Sequence, residues 1–165
     1  IAFALHGDAG DGPASRWAAQ ARPGEFLGIA GPRNGGFAPP ADTQSLLVIG
    51  DATALPAIQS IAAQLAQTWK VEAYVEVAND DERQAIETTA VWHTEWITAL
   101  SGNSGLRLCQ AVRHHPMSAD VGYIWMAGEA WSVRELKQHF FERGCERQRL
   151  SAKGYWKRGE SDHRG

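Results

Sequence analysis

The sequence predicts an α/β protein built on a mostly parallel sheet with helices on both faces. Three observations carry this expectation. The run SLLVIGD, residues 45–51, is apolar almost without a break, as suits a strand covered on both faces. Leu55, Ile58, Ile61, Ala62 and Leu65 then recur at the spacing of an amphipathic helix. From there onward strand-like and helix-like stretches alternate, the pattern of strands joined by crossover helices.

The elements follow in order. IAFALH, residues 1–6, reads as a strand, and HGDAGDGPAS, residues 6–15, as a loop of small residues. PASRWAAQA reads as a short helix with Pro13 in its first turn. A Pro-Gly turn at 23–24 leads into a strand from Glu25 to Ala30. NGGFAPPADTQ, residues 34–44, has two Gly, two Pro and no periodicity, so it is a linker between a segment 1–33 and a main domain 45–165. After SLLVIGD comes a helix, ALPAIQSIAAQLAQTW, and then a second strand, KVEAYVEVAND. A third strand is expected over 89–97, followed by a helix, GLRLCQAVRHH, stopped by Pro116. VGYIWMAG is the fourth strand, EAWSVRELKQHFFERG a helix ended at Gly144, and QRLSAKGYW the last strand.

Composition excludes several classes. The 165 residues suggest one domain, or one domain and a piece of another. A net charge of −3 argues against a dedicated nucleic-acid binder. No apolar run reaches the ~18 residues of a membrane span. The start lacks the basic residues of a secretory signal. Cys109 and Cys145 are not in a Cys-x-x-Cys pair and read as free thiols of a cytoplasmic protein. No Met opens the chain, and a strand at 1–6 would lack partners, so native sequence is expected to precede Ile1.

Ligands of open parallel sheets bind beyond the carboxyl ends of the strands. Three stretches there qualify. GDATALPA, residues 50–57, puts Gly50 at the end of a buried strand and Thr53 where it could cap the next helix. It lacks a full G-x-G-x-x-G, so an ordinary strand–turn–helix explains it equally well. AGEAWS, residues 127–132, again sets a glycine, Gly128, between strand and helix, with Glu129 in the first turn. The tail SAKGYWKRG sets Tyr155 and Trp156 among Lys153, Lys157 and Arg158 in an otherwise acidic chain. His114 and His115 are adjacent on a helix, point about 100° apart and suit its C-terminal dipole better than a shared metal. Of the seven Trp, all but Trp156 fall inside elements and are expected to be buried or half-buried.

HGD…GPASRWA, AGPR, GDATALPA, VEV, WMAGE and GYWKRG occur in this order, and together they resemble the siderophore-interacting protein family. The family's Arg-x-Tyr-Thr/Ser flavin motif is not found, and Ala52 stands where members often carry Glu. The resemblance implies a ferric-siderophore reductase of the ferredoxin–NADP reductase superfamily. Residues 1–33 would be the C-terminal remnant of an antiparallel flavin-binding barrel, and 45–165 an NAD(P)H-binding α/β domain with a siderophore-facing tail. It implies that Gly12, Pro13, Ala14 and Ser15 cradle the FAD pyrophosphate with His6 nearby. It implies that Gly50, Asp51, Thr53, Ala54 and Leu55 lie along the nicotinamide nucleotide, with Gly128 and Glu129 facing it, and that Glu76 meets the adenosine ribose. Trp156 would stack at the cofactor. Lys153, Lys157 and Arg158 would hold an anionic ferric siderophore, a catecholate above all.

Two functions follow. In the first, electrons pass from NAD(P)H through FAD to Fe(III), releasing Fe(II) for iron assimilation. In the second, the chain is a non-catalytic module that binds a siderophore or a partner chain. A chain holding only this part of a flavin site is expected to retain little FAD. The acidic stretch VEVANDDER after the second strand argues for NADH, and the resemblance for NADPH.

Overall fold

A computed structural model describes residues 13–28, 36–115 and 122–160. The chain divides into two units, Ile1–Gly36 and Phe37–Gly165.

In the first unit, α1 (Pro13–Gln20) begins on proline, whose missing N–H costs nothing at a helix start. A turn follows, in which the Glu25 amide donates to the Arg22 carbonyl at 3.1 Å. The strand expected from Glu25 is not formed over 25–28, where the backbone is irregular and Phe26 is 98% exposed. A strand needs a hydrogen-bonded neighbour, and these residues have none among the described residues. Ala30 and the strand expected at 1–6 lie outside the described residues.

The second unit runs β1 (Ser45–Asp51), α2 (Leu55–Ala62), β2 (Lys70–Val77), β3 (Val91–Thr98), α3 (Leu106–His114), β4 (Tyr123–Glu129), α4 (Ala130–Glu142) and β5 (Leu150–Trp156). The five strands form one sheet in the order β3-β2-β1-β4-β5, and every pairing is parallel. The central strand β1 explains its own composition. Leu46 and Val48 pack on one face with Leu55, Ile58 and Ile61 of α2. Leu47 and Ile49 pack on the other with Leu108 and Val112 of α3 and Leu136 and Phe140 of α4. Burying one such side chain fully, as Ile58 is, stabilises by about 1.5–3 kcal/mol.

α2 is shorter than its apolar spacing suggests. It ends at Ala62 and tightens into i→i+3 bonds, Gln64 N–H to Ile61 O and Leu65 N–H to Ala62 O. Leu65 still reaches the core, 5% exposed, so the periodicity outlasts the helix. At the amino edge of the sheet, the Arg149 guanidinium donates to the Gly122 carbonyl at 3.0 Å and to Asp42 Oδ2 at 2.9 Å. That edge is closed by structural contacts. Because all strands run the same way, their carboxyl ends share the opposite edge, and the loops that matter collect there.

Candidate functional site

Two buried carboxylates organise the carboxyl edge around β1 and β4. Asp51 ends β1 and is 7% exposed. Its Oδ1 accepts from the Thr53 amide at 2.9 Å and from the Thr53 hydroxyl. Its Oδ2 accepts from the Glu129 amide at 2.8 Å and from Trp156 Nε1 at 2.9 Å. Thr53 does not cap α2, which has no side-chain cap: Asp51 caps a short 3-10 turn ahead of that helix, and Thr53 is a donor to Asp51. Glu129 ends β4 and is 5% exposed. It is the N-cap of α4 rather than a first-turn residue. Its Oε2 accepts from the amides of Trp131 at 2.6 Å and Ser132 at 3.0 Å. Its Oε1 is left with one long contact, 3.5 Å from the Arg158 amide.

The glycines serve this frame more than they serve a ligand. Gly128 has φ +145, and a β-carbon there would fall 2.5 Å from Asp51 Oδ2. A β-carbon on Gly50 would lie 2.8 Å from Ala54 Cβ. The side chains of Ala54 and Leu55, 0% and 2% exposed, belong to the core beneath α2. That leaves a ligand only their backbone to lie along.

A cleft of about 330 Å³ opens beside Glu129. One wall is Trp131, Trp156 and Arg158; the other is Asn103 and Ser104, from the turn between β3 and α3, and Leu106, the first residue of α3. Trp131 is 40% exposed at the rim, more than the buried or half-buried place expected of it. Arg158 Nη1 donates to the Gly102 carbonyl, so the tail reaches the opposite wall. Lys157 pairs with Glu160. Lys153 is exposed and has no ion pair among the described residues. Burial first, and then the Asp51 carboxylate, push the Tyr155 phenol above its ordinary pKa.

The structure thus gathers Asp51, Thr53, Gly128, Glu129, Trp156 and Arg158 at one edge. It does not place Glu76 as a ribose ligand. Glu76 is 2% exposed beneath the 101–105 turn, where its Oε2 accepts from the Gly105 amide at 2.6 Å. Pro13, Ala14 and Ser15 form the first turn of α1; His6 and Gly12 lie outside the described residues. His114 and His115 take separate partners, the Gln110 carbonyl at 2.7 Å and the Tyr74 hydroxyl at 2.9 Å. The sequence reading missed Asn103, Ser104 and Leu106. The signal was present: SGNSG, residues 101–105, is a Gly-rich turn between a strand and a helix at the same edge as the other loops.

An all-parallel sheet with helices, whose carboxyl edge carries the capped start of α4 and a cleft, is an open α/β domain of the kind that takes ligands at that edge. Residues 43–159 match the family described as siderophore-interacting protein, and residues 1–36 match the siderophore-interacting FAD-binding domain. The chain belongs to the siderophore-interacting protein family. It is 31% identical to the NADPH-dependent ferric-chelate reductase of Escherichia coli over 148 residues, covering 88% of this chain and 56% of that protein. It is 29% identical to ferric vibriobactin reductase ViuB of Vibrio cholerae, covering 98% of this chain and 60% of that one. The structure of a siderophore utilization protein from T. fusca superposes with a TM-score of 0.85 at 30% identity, over 98% of this chain and 61% of that one. The chain therefore spans a little over half the length of these relatives. Among the described residues, no helix is long and apolar enough to cross a membrane.

Proposed function

We propose that this chain is the nicotinamide-nucleotide-binding part of a flavin-dependent ferric-siderophore reductase, with NAD(P)H as donor, FAD as intermediary and a ferric siderophore as acceptor. The observation that carries this reading is the cleft at the carboxyl edge, set in a family whose relatives are named ferric reductases. The residues fit a nucleotide. Trp131 and Trp156 offer flat apolar faces, Glu129 Oε1 is an acceptor with little competition, and Arg158 can face a phosphate. For FAD, the first turn of α1 offers the free N–H groups that suit a pyrophosphate.

Bound flavin supplies the conversion of a two-electron hydride donor into single electrons for iron. This chain's residues bind and orient. The indoles of Trp131 and Trp156 would hold a nucleotide in the cleft against apolar surface, while the Asp51–Glu129 frame fixes the tail that carries Trp156. Lys153, with Lys157 and Arg158 near it in sequence, supplies positive charge for an anionic catecholate. No side-chain nucleophile or general base is required.

The test uses the full-length protein loaded with flavin, a ferric catecholate, NADH or NADPH, and a ferrous-specific chelator. The expected result is two Fe(II) trapped per nicotinamide oxidised, with kcat/KM deciding between the two donors. A flavin-loaded protein that oxidises nicotinamide but leaves the catecholate ferric would sink the substrate assignment. One that oxidises neither donor would sink the cofactor assignment.

A further inference from the structure

Glu76 is among the largest fully buried side chains of the second unit, and it is a carboxylate. Its Oε2 accepts from the Gly105 amide at 2.6 Å and from Ser104 Oγ at 3.2 Å. Its Oε1 is buried with no hydrogen-bond partner among the described residues. The reason for this placement lies in α3. That helix starts after Gly105, an N-cap with φ +83 and no side chain to cap with. The negative group that a helix start favours comes instead from β2, 29 residues earlier in the chain. On its other side Gly105 rests against Ser132, which Glu129 holds through its amide and hydroxyl. The turn is therefore clamped between Glu76 and α4, and it delivers Asn103, Ser104 and Leu106 to the cleft.

We propose that Glu76 is a positioning residue for the cleft: it fixes the Ser104–Gly105 wall at the spacing a bound nucleotide needs, and touches no ligand itself. The proposal rests on the reading of the cleft as the nucleotide site. A ligand-contacting carboxylate would present an oxygen to the cleft, and a side chain 2% exposed does not. The chemistry makes a distinctive demand. Only one oxygen is used, so Gln can supply it and set its amide nitrogen where Oε1 lies. Asp keeps the charge but is shorter by one C–C bond, about 1.5 Å, and fails to reach Gly105.

The experiment compares Glu76→Gln, Glu76→Asp and Glu76→Ala in the full-length, flavin-loaded protein. Affinity for NAD+ and NADP+ is read by isothermal titration calorimetry, and the order of the wall from hydrogen exchange at amides 103–108. Glu76→Asp and Glu76→Ala should weaken nucleotide binding about tenfold or more and speed exchange in the wall. Glu76→Gln should stay within about threefold of wild type on both readouts. If the Ala variant does not fold, the Asp and Gln pair decides. The reverse order, Asp retained and Gln lost, overturns the proposal, because it would mean that the charge, and not the reach of the side chain to Gly105, is what the cleft needs. Unchanged exchange or unchanged affinity in Glu76→Asp also overturns it. A wild type that binds neither nucleotide refutes the nucleotide reading itself, and this shows in the unmodified protein before any variant is compared.

Discussion

Asp51 and Glu76 are register partners at the ends of adjacent strands, and both carboxylates are buried. They are bonded in opposite ways. Both oxygens of Asp51 are saturated, by two amides, a hydroxyl and an indole N–H. Glu76 uses one oxygen and leaves the other without a partner among the described residues. Asp51 locks three segments together: the β1–α2 turn, the start of α4 and the tail at Trp156. Glu76 holds one turn. One side of the cleft is thus tied through a saturated carboxylate, while the turn on the other side takes one oxygen of Glu76, with Ser132 of α4 against it and Arg158 on Gly102, and the less fully bonded carboxylate is the easier one to tune.

The largest expected effect comes from Asp51. Asp51→Ala leaves the Thr53 and Glu129 amides and the Trp156 indole without their acceptor, a loss of about 3–5 kcal/mol in denaturant unfolding. Asp51→Asn should still cost about 2–3 kcal/mol, since its NH2 would face donors whichever way it is turned. Glu76→Gln should cost less than about 1 kcal/mol, because its NH2 replaces an oxygen that accepts nothing. Equal costs for Asp51→Asn and Glu76→Gln would erase the distinction between the two carboxylates.

Gly128 tests the same frame from the backbone. At φ +145 an L side chain is strained, and its β-carbon would collide with Oδ2 of the Asp51 carboxylate, whose two oxygens are held by four bonds. Gly128→Ala should cost about 2 kcal/mol, and the loss should shrink in an Asp51→Ala background, where the collision is gone. Strict additivity in that double-mutant cycle would show that Gly128 answers to something other than Asp51.

Much of the fold was legible because it is local. SLLVIGD had to be a two-faced strand, and the elements after it follow from periodicity and from Pro and Gly stops. The candidate site was less legible because its bonds are long-range. Asp51 meets Trp156 across 105 residues, and Glu76 meets Gly105 across 29. From the sequence, an acidic residue ending a strand looks the same whether it faces a ribose or a neighbouring turn. Thr53 reads as a cap from the sequence, but its amide and hydroxyl are both taken by Asp51, two residues earlier. Leu65 extended the apparent helix because its side chain kept the rhythm after the backbone had tightened.

The smallest effect is expected at the tail, where the two walls meet. Replacing Lys157 and Arg158 together by Ala should lower ferric-catecholate affinity about three- to tenfold at low salt, and less at high salt, because solvent and ions screen exposed charges. The structure sets this modest scale. Lys157 already pairs with Glu160, and Arg158 already donates to the Gly102 carbonyl, so neither is a fully available cation. Lys153, exposed and without an ion pair among the described residues, should match the double variant when replaced alone. A hydroxamate complex, with less negative charge, should be affected less than a catecholate. Arg158→Ala alone carries the sharper contrast. It cuts the bond between the tail and the β3–α3 turn while leaving Asp51 and Glu76 in place, so it should weaken nucleotide binding more than Lys157→Ala does. If Lys157→Ala has the larger effect on the nucleotide, Arg158 does not bridge the cleft in solution, and the two walls are independent.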